Sequence, residues 1–181
     1  MNNKTDIPEI KLLSSIMKRC KDDSAFRAAI KKADNPDTEY RSWEYLADYG
    51  VNLEYEESRY LYTTIFAAAA RSGKSTDGCL EFGKALVAAY ADSGSNDYIH
   101  ARESEPARAR LRRVLACDSV KELCTVLRPV LRLITSKGVS VSFGLLLRDL
   151  KYYNIHPEQT KASWAQQFFG TVSKTHEEET A

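Results

Sequence analysis

The chain has 181 residues, 43% of them apolar, with six Phe, ten Tyr and two Trp, enough to build a packed core and too many for a disordered chain. Only eight Gly and five Pro punctuate it, too few for a many-stranded sheet, so the expected class is all-α. Its net charge of +1 hides a segregation: residues 1–33 carry +4, 34–103 carry −7, 104–151 carry +6 and 152–181 carry −2, which points to a polyanion on the basic segments.

The opening Met1–Asp6 has no apolar stretch of the secretory type. Ile7-Pro8-Glu9 then starts a first helix with proline where it is tolerated, and Ile10, Leu13, Ile16 and Met17 mark its apolar face. Asp23 or Ser24 caps a second helix through Ala33, with Phe26, Ala29 and Ile30 inward and Arg27, Lys31 and Lys32 outward. After the Asn35-Pro36-Asp37 turn, a third helix carries an aromatic ridge of Tyr40, Trp43, Tyr45 and Tyr49 and stops at Gly50.

A fourth helix is predicted over 56–71, its alanines at 67–70 permitting close helix approach, and a fifth over 79–91. Asp92-Ser93-Gly94-Ser95-Asn96-Asp97 is the strongest break and divides the chain into bundles over 1–97 and 98–170. Ser104-Glu105-Pro106 caps a helix over 107–117, and Asp118-Ser119 caps the next, which Pro129 interrupts and Lys137-Gly138 ends. Helices over 142–153 and 160–169 close the fold, the last anchored by Trp164, Phe168 and Phe169, and a frayed tail follows over 171–181. That makes about nine helices in two stacked bundles, with no stretch near the roughly 20 apolar residues of a membrane span.

The candidate chemistry is sparse. Ser72-Gly73-Lys74-Ser75 has the end of a phosphate-binding loop, but Ala68 stands at the first glycine position and a helix replaces the strand, so it reads as a plain loop. Cys20, Cys79, Cys117 and Cys124 form no C-x-x-C pair, and His100, His156 and His176 lack metal-ligand spacing; the cysteines read as buried thiols of a reducing cytoplasm. No nucleophile–base set can be assembled, so neither enzymatic activity, metal nor cofactor is expected.

The arginines carry the signal. Leu111, Val114 and Leu115 face inward, leaving Arg108 and Arg112 outside with Arg110 and Arg113 beside them, and Lys121, Arg128 and Arg132 form a second stripe. Few acidic residues lie at helical spacing to neutralise them, so phosphate contact without base reading is one reading, and docking to acidic protein partners as a helical adaptor is the alternative.

Several segments are similar to a known family. Arg110-Leu111-Arg112-Arg113-Val114-Leu115, Leu131-Arg132-Leu133-Ile134, Lys137-Gly138-Val139 and Leu145–Leu150 followed by Tyr152-Tyr153 resemble the small subunit of the type I-E CRISPR Cascade complex, the CasB family. Phe26–Ala33, Gly83-Lys84-Ala85-Leu86 and Trp164–Phe169 resemble further segments of it, over about residues 20 to 170. Lys31, Lys32 and Lys84 stand where arginines are the family habit, and Pro129 lies in a helix where none is usual.

The resemblance implies a pair of helical bundles, with two copies stacked head to tail beside the Cascade backbone and large subunits. It implies a non-catalytic antiviral role, steadying the guide RNA–target DNA heteroduplex and the displaced strand while a recruited nuclease-helicase cuts. Arg27, Lys31, Lys32, Lys84, Arg112, Arg113, Arg128, Arg132 and Arg148 are the expected backbone contacts to crRNA and target DNA.

Overall fold

The computed structural model describes residues 7–91 and 98–170; the expected linker at 92–97, the opening residues 1–6 and the tail from Thr171 lie outside them. Ten α-helices are present among the described residues, and the only bridge between extended segments joins Leu80 to Val141. None of these helices is long and apolar enough to cross a membrane.

Helix α1 (Pro8–Asp22) begins on its proline and buries Leu13, Ile16, Met17 and Cys20. In α2 (Ser24–Lys31) the Asp23 carboxylate accepts from the Phe26 N–H at 2.9 Å, satisfying one orphan donor of the first turn. The expected third helix splits into a 3₁₀ turn, Glu39–Ser42, and the short α3, Trp43–Asp48. Its aromatic ridge splits too: Tyr45 and Tyr49 pack on Phe26, whereas Tyr40 and Trp43 are exposed.

Helix α4 (Glu56–Ser72) is the centre of the molecule, buried continuously from Thr63 to Ala70, and Gly73 ends it at φ 69°. A residue with a Cβ is strained in that left-handed conformation. Helix α5 (Phe82–Ala88) is shorter than the 79–91 expectation, and a short unexpected α6 (Tyr98–Glu103) precedes α7 (Glu105–Leu115). Ser104 precedes α7 without making the expected side-chain cap, while Ser119 does cap α8 (Val120–Ser136), accepting from Glu122 N–H at 3.2 Å. Helix α8 runs unbroken through the exposed Pro129.

Helices α9 (Phe143–Tyr153) and α10 (Pro157–Phe169) complete the chain. Trp164 and Phe168 are fully buried, but Phe169 is exposed and anchors nothing in the core. The N-terminus of α9 is held from a distance. The Asp77 carboxylate accepts from Phe143 N–H at 2.7 Å and Gly144 N–H at 2.9 Å, complementing the positive end of the helix.

Packing runs across the 92–97 segment: α4 lies on α8, α1 on α9, and α5 on α10. One cluster of buried side chains, from Leu13 to Phe168, joins helices from both sides of it. Two glycines permit the closest crossings. A Cβ at Gly144 would stand 2.6 Å from Ile10 Cα, and one at Gly83 would meet the Trp164 carbonyl oxygen.

Candidate nucleic-acid interface

Contacts between α4 and α8 advance in the same direction along both helices, which fixes where the basic stripe of α8 lies. Lys121 pairs with Glu56 at 3.0 Å and sits over the Tyr60 ring, and Arg128 Nε donates to Thr64 Oγ1 at 3.2 Å over the same ring. Past the ends of the two helices, Lys74 Nζ donates to the Gly138 carbonyl at 3.0 Å. The Ser72–Ser75 segment is therefore a helix end whose lysine is occupied, and no glycine-rich phosphate cradle forms there.

The stripe ends at a buried carboxylate. Asp34, in the turn after α2, has a side chain 2% exposed and takes two guanidinium donors of Arg71 from the end of α4. Arg71 also donates to the Lys31 carbonyl, and Arg132 reaches Asp34 from α8 at 3.4 Å. Burial alone pushes the Asp34 carboxyl up, but the Arg71 hydrogen bonds and the charges of Arg71, Arg132 and Arg128 hold it below the ordinary carboxylate range. It stays ionised and draws Arg71 from α4 and Arg128 and Arg132 from α8 toward one point in the turn after α2.

Of the expected contact residues, Arg128 and Arg132 meet here, and Lys31 borders the site through the carbonyl that accepts from Arg71. Lys31 and Lys32 are exposed, and Arg132 keeps 59% of its side chain in solvent despite its link to Asp34. The others lie apart. On α7, Arg112 is exposed and bonded to Glu105, seven residues back and so outside the spacing first considered, while Arg113 is exposed with no ion pair among the described residues. Lys84 on α5 pairs with Glu81 at 2.7 Å, and Arg148 lies 3.6 Å from its neighbour Asp149. Arg27 is half-buried on α2. Several expected free cations thus have carboxylate partners, although exposed pairs such as Arg112–Glu105 are each worth little in water.

The rest of the arginine run turns inward: Arg110 bonds to the Tyr90 hydroxyl and Arg108 to the Arg102 carbonyl at 2.8 Å. Arg71 was not among the expected residues. Its signal was a basic side chain in the last turn of a helix, which reads as an ordinary dipole partner until Asp34 is placed beside it.

No group of three or more His, Cys, Asp or Glu able to hold a metal occurs among the described residues. Burial pushes the Cys20 thiol up to about 11 and that of Cys124 up to about 12, so neither is a nucleophile near neutral pH. Cys79 is exposed, contrary to the reading of four buried thiols: it sits in the extended segment before α5, outside any apolar helical face.

Comparison with known proteins adds one match, to the CRISPR-associated protein Cse2 family, and it spans residues 26–169. The chain belongs to that family. The match starts in α2 at Phe26 and ends in α10 at Phe169, so it takes in the whole Asp34 node and every expected contact residue. A Cse2-family chain is a subunit of a CRISPR Cascade complex. No curated protein and no solved structure matches the chain.

Proposed function

We propose that this Cse2-family protein is a non-catalytic small subunit of a type I-E Cascade surveillance complex that grips nucleic-acid backbone without reading sequence. In that role it steadies the guide RNA–target DNA heteroduplex and the displaced strand, beside the backbone and large subunits and a second copy of itself. The observation that supports this reading is the convergence of Arg71, Arg128 and Arg132 on one buried carboxylate, with the exposed Lys32 and Lys31 two and three residues before it in the chain. Three guanidinium groups around one anion leave an excess of positive charge. Arginine and lysine then play different parts: Arg71 is spent on Asp34, while Lys31, Lys32 and the outer edge of Arg132 reach solvent as phosphate contacts.

The test is a salt titration of single- and double-stranded DNA binding by the full chain, wild type against Lys31→Ala/Lys32→Ala/Arg132→Ala. Affinity should fall about equally for unrelated sequences, and the slope of log K against log salt should flatten by about one per lost contact. An unchanged slope rejects these residues. A wild-type chain with no salt-dependent binding points instead to a helical adaptor for protein partners.

A further inference from the structure

A cavity of about 680 Å³ opens between α5, α6 and α10, away from the Asp34 node. Its size lies in the ordinary range for small-molecule sites. Leu80, Val87, Ala88 and the ring of Tyr98 give it apolar walls, and Lys84 and Arg102 give it cations. Arg102 has an enclosed Nε–H without an acceptor among the described residues. An unpaired donor of this kind leaves the guanidinium charge uncompensated, and an oxyanion at this wall would balance it. With Lys84 already paired to Glu81, the three charged groups of the lining sum to one positive charge, which suits a single phosphodiester.

We infer that this cavity receives one unpaired nucleotide of a single strand, its base against Tyr98, Leu80 and Val87 and its phosphate at Arg102 and Lys84. The inference rests on the backbone-binding reading above and adds to it a place where an unstacked base leaves water. Apolar and aromatic walls accept any base, so the contact needs no sequence preference. A free mononucleotide has the same chemistry as a nucleotide within a strand, and the experiment separates the two.

The probe is a single-stranded oligonucleotide carrying one 2-aminopurine, with a blunt duplex of the same sequence as control, bound to the full-length protein. Two variants attack charge and volume separately: Arg102→Gln removes the cation, and Ala88→Phe fills the cavity. Arg102→Gln should weaken single-strand binding about tenfold, the value of one charge-assisted contact, and leave duplex binding unchanged. Ala88→Phe should abolish the change in 2-aminopurine emission while the salt-dependent binding persists. AMP should compete for the emission change, and inorganic phosphate should do so far less.

Thermal melts matching wild type qualify each variant, and either one alone can decide. Equal losses on duplex and single strand overturn the inference, as does an emission change indifferent to Ala88→Phe. So does competition by phosphate or by a glutamate-rich peptide as effective as that by AMP. A strong effect of AMP with none of the oligonucleotide places a free nucleotide there and overturns the strand assignment. If wild type binds neither nucleic acid, the functional reading fails and takes this inference with it; if it binds both and the variants change nothing, only this inference fails.

Discussion

Substituting Arg71 by Ala is the sharpest perturbation of the basic node. It removes two charge-assisted hydrogen bonds from Asp34 and one from the Lys31 carbonyl, and leaves a carboxylate 2% exposed with Arg132 as its remaining ion-pair partner among the described residues at 3.4 Å. Stranding one member of a buried pair costs about 3–5 kcal/mol, and the partial exposure of Arg71 places the expected loss near the lower end, about 3 kcal/mol. For a domain of this size that lowers Tm by roughly 6–12 °C. Arg132→Ala removes a longer contact from a largely exposed side chain and should cost under about 1 kcal/mol.

Guanidinium chloride unfolding of both variants measures the two values, and the contrast between them is the test. The pH dependence gives a second check. A carboxyl held below its unfolded value contributes stability that is complete above the unfolded pKa of about 3.9 and is lost as pH falls through the folded value. The gap between wild type and Arg71→Ala should therefore stand at neutral pH and close in acid below about pH 4. Equal losses for Arg71→Ala and Arg132→Ala, or a gap that persists into strong acid, refutes the claim that Asp34 organises the node.

Two further outcomes follow from the packing. Gly144→Ala brings a methyl within 2.6 Å of Ile10 Cα, main chain that cannot give without moving α1, so chemical denaturation should show a loss of about 1–3 kcal/mol, whereas Ala162→Gly, at an exposed position of α10, should cost about 1 kcal/mol or less. With a disulfide-exchange reagent at neutral pH, Cys79 should react in the native protein, and Cys20, Cys117 and Cys124 only after denaturation, as mass mapping of the labelled peptides will show.

The sequence alone determined the helical class and most helix boundaries, because apolar spacing and caps are local. Pro8, Asp23, Ser119 and Gly138 act on residues within a turn of themselves, and each does what its position predicts. The 3₁₀ turn before α3, the short α6 and the exposure of Phe169 were not legible, since each depends on what packs beside a segment rather than on its own pattern. The basic stripe of Lys121, Arg128 and Arg132 was visible as spacing, but only the tertiary structure set it along α4. The same holds for the node itself. Asp34 and Arg71 lie 37 residues apart, and no helical period relates them. A carboxylate in a turn and an arginine at a helix end became partners because α2 and α4 pack together, and burial then made their charges matter.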